Sequence, residues 1–249
     1  MTSPQDHKCI DDEKLIDDIK KYGWTVMLIE ATDYLPSFAY TVGLWKNYNH
    51  PELICFGLTT KSLHSSLNVG GELVKDGHKL QVGRDYDDFF ENGIAQFIQV
   101  DPRSLQDYFG YALWFNEKSD FPALQLVWTD RNNRYPWDAD FEEEFLYRQP
   151  LLDRNADFKF REEKNLAVFT TRQWIEEKKP ILRVVHDEDG DWQFLTSDQM
   201  PEDIKIVALE QMTLQDPTLN DIFNLDYGEA AERNSIGDKW IRSNIQDNE

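Results

Sequence analysis

Residues 24–58 read WTVMLIEATDYLPSFAYTVGLWKNYNHPELICFGL, and this stretch decides the fold class. Three runs within it, Trp24 to Ala31, Ser37 to Leu44 and Leu53 to Leu58, are rich in β-branched and aromatic residues, which suit the pleated surface of a strand. Asp33, Pro36, Asn47, Asn49 and Pro51 separate the runs with turn chemistry. The expectation is three neighbouring strands. Upstream the period changes: Leu15, Ile16, Ile19 and Tyr22 recur at spacings of three and four before Gly23, which predicts an amphipathic helix over Asp11 to Tyr22. Downstream, Leu63, Leu67 and Leu73 or Val74 trace one side of a second helix over Ser62 to Lys75, and Gly70 and Gly71 weaken its continuity. Helices on either side of consecutive strands give an α+β fold with a mixed β-sheet.

Further along, Asp85 to Asp88 reads as an acidic turn and Ile94 to Val100 as a strand. Asp101 and Pro102 start a helix that runs through Ser104 to Phe115, because Asp at the cap and Pro in the first turn suit amides that have no partner. Leu124 to Thr129 is a strand ending in the turn residues Asp130, Asn132 and Asn133. The acidic cluster Asp138 to Glu144 and the segment Gln149 to Lys159 mark a module boundary, giving an N-terminal α+β module over 1–152 and a smaller, β-rich acidic module over 153–249. In the second module Leu166 to Thr170, Ile181 to His186, Trp192 to Leu195 and Ile204 to Leu209 read as strands, with a hairpin turn at Asp189 and Gly190, and Leu214 to Arg233 as helical.

The chain has 249 residues, enough to bury a substantial core, and its 40% apolar content, with eight Trp and fifteen Phe, supports folding over disorder. No apolar run approaches the length of a membrane span. Met1 to Asp12 carries Asp6, His7, Lys8, Asp11 and Asp12 rather than a basic segment followed by an apolar one, so no secretory signal is read and a cytoplasmic location is expected. Cys9 and Cys55 do not make a disulfide framework, and Cys55 reads as a small buried hydrophobe. The formal charge of −21 is shared almost evenly, −11 over residues 1–152 and −10 over residues 153–249. A surface so acidic repels nucleic acid and anionic membranes and raises the encounter rate with basic partners.

Chemistry-bearing residues fall in two places. Tyr40, Thr41, Gly43, His50 and Glu52 bracket a strand–loop–strand, where His50 is a candidate acid or base oriented by Glu52, or else the end of a loop whose neighbours pack and cap. Trp128, Asp130, Arg131, Arg134, Tyr135, Trp137 and Asp138 mix flat apolar area with charged hydrogen-bonding groups, which suits a ligand pocket, a protein interface or a loop held by core Trp residues. The candidate binding residues are therefore Tyr40, Thr41, His50, Glu52, Trp128, Asp130, Arg134, Trp137 and Asp138. The five His residues show no zinc spacing, and no phosphate-binding or nucleophile-elbow motif is present, so neither a metal nor a cofactor is expected. His186 to Trp192 lacks the twelve-residue ligand register of a calcium loop and reads as a hairpin tip.

Phe38-Ala39-Tyr40-Thr41-Val42-Gly43-Leu44, His50-Pro51-Glu52-Leu53, Phe56-Gly57-Leu58, Gln125-Leu126-Val127-Trp128 with Asp130, Tyr135-Pro136-Trp137-Asp138 and Gln149-Pro150-Leu151-Leu152 stand in order along residues 20 to 152. Together they resemble a bacterial family catalogued as domain of unknown function 4262. That family has no assigned activity, so the resemblance implies no catalytic residue. Asp189-Gly190-Asp191-Trp192-Gln193-Phe194 and Ser235-Ile236-Gly237-Asp238-Lys239-Trp240 are similar to tails of immunity-type domains in bacterial toxin–antitoxin cassettes. The leading expectation is a protein-interaction module, an immunity protein that binds and neutralises a basic toxin. The alternative is a flavin- or nucleotide-binding protein or enzyme, because Tyr40 to Leu44 entering a Pro-containing loop resembles small β-barrel flavoproteins.

Overall fold

The computed structural model describes residues 12–117 and 119–245, so Cys9 and the N-terminal leader lie outside the described residues. Two compact units emerge: one runs through Ala31 and resumes over Pro36–Ala156, and the other joins Thr32–Leu35 to the chain from Asp157 onward. The division falls four residues beyond the expected 152, and the second unit borrows a segment from far upstream. The fold class is α+β.

In the first unit, the chain runs α1 (Asp12–Tyr22), β1 (Thr25–Ile29), β2 (Phe38–Val42), α2 (Leu44–Tyr48), β3 (Glu52–Phe56), α3 (Thr60–Lys75), β4 (Asp85–Phe90), β5 (Gly93–Gln99), α4 (Leu105–Tyr108), α5 (Gly110–Phe115) and β6 (Ala123–Trp128). The sheet order is β1-β2-β3-β6-β5-β4, antiparallel except for the parallel β3–β6 pair at its centre. Every residue of β2, β3 and β6 is buried, as expected for strands covered on both faces. One face carries α3 over a core of Leu53, Cys55, Leu63, Leu67, Phe97 and Leu126. The other holds an aromatic cluster in which Tyr108 meets Phe38 and Phe56 edge-on.

Three expectations about the elements of the first unit need correcting. Asp85 to Asp88 is not a turn but most of β4: Tyr86 and Phe89 are buried in the core while the acids face solvent, and a register shift between Tyr86 and Phe90 disrupts the alternation that would have announced a strand. Residues 104–115 do not form one helix, because the chain breaks at Phe109 between α4 and α5 to bury that ring completely. Gly70 and Gly71 do not interrupt α3; they let it approach the sheet, and a Cβ on Gly71 would lie 2.2 Å from the Trp24 ring.

In the second unit, the elements are β7 (Ala167–Thr171), α6 (Arg172–Glu177), β8 (Arg183–His186), β9 (Trp192–Leu195), β10 (Ile204–Ala208), α7 (Leu209–Gln215), β11 (Glu229–Glu232) and β12 (Ile241–Asn244), with sheet order β10-β7-β9-β8-β11-β12. The hairpin expected at Asp189 and Gly190 joins β8 to β9. Leu214 to Arg233 is not helical throughout: α7 ends at Gln215, a 3-10 stretch follows Pro217, and β11 pairs with β8 through Ala230 and Ala231, both fully buried. No helix among the described residues is long and apolar enough to cross a membrane.

Candidate functional site

Glu52 begins β3 with its carboxylate fully buried. Its Oε1 accepts the backbone N–H groups of Gly43 (2.8 Å) and Trp45 (3.1 Å), and its Oε2 accepts the Thr41 hydroxyl (2.6 Å). Thr41 Oγ1 in turn accepts Leu53 N at 2.8 Å, so the Thr41 hydroxyl proton is directed at the carboxylate. The geometry rests on Gly43, whose φ of 114° turns the chain from β2 into α2. Burial pushes the Glu52 carboxyl up to about 7, and hydrogen bonds from Thr41 and the amides of Trp45, Gly43 and Leu44 oppose that rise by favouring the charged form.

His50 does not pair with Glu52. Its Nδ1 lies 2.8 Å from Pro51 O and its Nε2 accepts Leu80 N at 3.3 Å, an arrangement that fits the neutral ring protonated at Nδ1. Burial lowers its pKa further. Both ring nitrogens therefore tie loops together, and the expected orientation of His50 by Glu52 is not formed. Tyr40 is likewise buried, its hydroxyl accepting Tyr111 N at 3.1 Å.

The second group organises the loop after β6. Trp128 donates Nε1–H to Phe56 O at 2.8 Å, while the Gln149 side chain accepts Trp128 N (3.2 Å) and donates to Trp128 O (2.8 Å). Gln125, three residues earlier in β6, repeats the device, donating to Pro150 O (2.8 Å) and accepting Leu152 N (3.0 Å). Two glutamine amides thus fasten residues 149–152 to β6. Asp130 Oδ1 accepts the N–H groups of Asn132 and Arg134, and its Oδ2 that of Glu142. Burial works to raise its pKa, but these amides outweigh burial and hold the carboxyl below the usual range. Arg134 donates to Asp140 O, and Asp138 accepts Tyr135 N at 2.8 Å. Trp137 stacks on Tyr135 (4.8 Å between centroids, 13° between planes), is 37% exposed, and carries the Arg154 guanidinium at 5.3 Å. Tyr135 reaches back to Asp85 of β4 through a 2.8 Å hydrogen bond.

The predicted residues therefore form two separate assemblies, one between β2 and β3 and one after β6, and most of their polar atoms are engaged in shaping the backbone. A groove of about 610 Å³ along α3 is lined by Lys61, His64, Asn68 and Glu72 and by none of the predicted site residues. A family model described as Domain of unknown function (DUF4262) matches residues 18–142. The chain belongs to the DUF4262 family. The match includes both assemblies except residues 149–152 and Arg154, and it ends before the second unit's sheet begins. No curated protein and no solved structure matches the chain.

Sequence reasoning missed a third cluster, in the second unit. His186 is fully buried, stacks on Trp192 (4.0 Å, 10°) and meets Tyr34 edge-on. Glu162 accepts both Tyr34 OH (2.5 Å) and Trp192 Nε1–H (3.0 Å). His186 Nδ1 lies 2.9 Å from Leu225 O, whereas Nε2 is buried with no hydrogen-bond partner among the described residues. Burial lowers the His186 pKa. No local spacing could reveal this cluster, because Tyr34, Glu162 and Trp192 are far apart in sequence. Among the described residues no three His, Cys, Asp or Glu side chains are grouped as a metal site.

Proposed function

We propose that the chain is a protein-interaction module whose acidic surface captures a basic protein partner, and that its action is that of an immunity protein occluding a toxin. The observation that carries this reading is where the polar chemistry goes. Glu52, Thr41, His50, Asp130 and Gln149 are bonded to backbone in ways that build turns and caps, which leaves the surface charge as the chemistry directed outward. A net charge of −21 steers a cationic surface into encounter and rejects anionic ones. The likeness of Asp189 to Phe194 and Ser235 to Trp240 to immunity-type tails supports the toxin as the kind of partner.

Native mass spectrometry of the protein isolated gently from its own cells tests the proposal. A stoichiometric basic polypeptide whose association rate falls steeply with added salt is the expected result. A retained small molecule of roughly cofactor size and no polypeptide would overturn it in favour of the flavin or nucleotide reading.

A further inference from the structure

Four strands end the two sheets: β1 and β4 in the first unit, β10 and β12 in the second. An edge strand offers unpaired backbone N–H and C=O groups to any extended chain, and proteins guard such edges with charge. The guards differ here. β1 carries no charged residue, β10 carries Lys205 and β12 carries Arg242, whereas β4 reads Asp85-Tyr86-Asp87-Asp88-Phe89-Phe90 and continues into Glu91. Tyr86 and Phe89 anchor β4 in the core, and Asp85, Asp87, Asp88 and Glu91 are exposed. Asp85 is fixed by Gln96 Nε2 (2.7 Å) and Tyr135 OH (2.8 Å), and that tyrosine carries the exposed Trp137 on its ring.

We infer that the β4 edge is the docking strand of the proposed interaction module, and that its occupant is an extended basic segment of a protein partner that pairs with β4 backbone to backbone. The inference rests on the interaction reading and names the surface it uses. Charge along this edge is acidic apart from Arg84, which precedes β4 and lies over the Tyr86 ring, and it discriminates: a second copy would set Asp87 and Asp88 against their own like charges, and an acidic strand would meet the same repulsion. A strand with Lys or Arg at alternate positions gains main-chain hydrogen bonds together with opposite charge, and Trp137, stacked on the tyrosine that holds Asp85 and partly exposed beside the Arg154 guanidinium, adds aromatic area of the kind enriched at interface centres. The register shift between Tyr86 and Phe90 leaves Asp87 and Asp88 both exposed, so consecutive carboxylates are available where a regular strand would offer alternate ones.

The probe is a short labelled peptide of alternating Arg and Val, titrated against the full chain by fluorescence anisotropy, with hydrogen exchange to map protection. The expected result is protection of the amides in Asp85–Phe90 and loss of affinity by about ten-fold or more in the double variant Asp87→Lys, Asp88→Lys. Both side chains are exposed, so an unchanged melting temperature checks that the variant keeps its fold. The same peptide N-methylated on alternate residues keeps its charge but cannot pair, and it should lose binding equally. Binding that survives N-methylation or charge reversal, or protection mapped elsewhere, would overturn the docking strand while leaving the interaction reading intact. If a partner recovered from cells binds the double variant as fast as the parent chain, the docking strand fails and the interaction reading stands.

Discussion

Glu52 is the residue where burial and charge are most directly opposed. Its carboxyl titrates at an ordinary 4.5 when solvated and is pushed up to about 7 in the fold. Below the lower value both states are protonated and the fold keeps its full stability; as pH rises through the upper value the fold must hold a buried anion that the unfolded chain solvates, and stability is lost. The difference corresponds to about 3 kcal/mol. Urea unfolding of the parent chain and Glu52→Gln at about pH 5 and about pH 8 reads this directly. At about pH 5 the parent carboxyl is itself protonated in the fold, and the amide differs from it by one further N–H facing groups that donate, so the variant starts lower by about 1–3 kcal/mol and should lose less than the parent on going to the higher pH. Equal losses would mean that Glu52 ionises normally in the fold. The sequence showed that Thr41, Gly43 and Glu52 belong together but not what they do. Their roles depend on the positive φ at Gly43, which aims two amides at one oxygen, and no spacing rule encodes that aim.

At the scale of elements, α1, β1 to β3, α3, β5, β6 and the β8–β9 hairpin were legible because apolar periodicity and turn residues agreed. Where they disagreed, tertiary packing decided. β4 hid behind its aspartates, since a strand at a sheet edge buries only two of its six residues and shows a solvent face that resembles a loop. β11 hid because Glu229 to Glu232 is apolar only at Ala230 and Ala231, whose value lies in their β8 neighbours. The two glycines of α3 separate propensity from packing. Ala is the better helix former at both positions by about 1 kcal/mol. At Gly70 the added Cβ meets the flexible end of Leu53 at 2.6 Å, but at Gly71 it meets three atoms of the rigid Trp24 ring within 2.6 Å. Gly71→Ala should therefore destabilise by about 1–3 kcal/mol through overpacking, and Gly70→Ala by clearly less. Chemical denaturation of the two variants side by side checks the order; equal effects would refute the close approach of α3 to Trp24.

At the scale of the whole molecule, 47 acidic residues against 26 basic ones make self-repulsion part of the stability balance. The ion pairs with resolved geometry, such as Lys164 with Glu210 and Lys179 with Asp198, are mostly exposed and contribute little each. Screening should therefore stabilise the chain: raising salt from about 10 mM to about 500 mM shortens the Debye length from about 30 Å to well under 10 Å and should raise the melting temperature by a few degrees. A fall in melting temperature on that change would show that attractive pairs outweigh the repulsion.

Tyr34 gives the second unit a timetable. It belongs to the four upstream residues that complete that unit, and its ring meets His186, Trp192 and Tyr227. On a ribosome the last of these neighbours follows Tyr34 by roughly 190 residues, a wait of about 10–40 s at ordinary rates of synthesis. Through that interval the segment between β1 and β2 is a finished piece of an unfinished unit, and the second unit cannot close around Tyr34 until Tyr227 has been made.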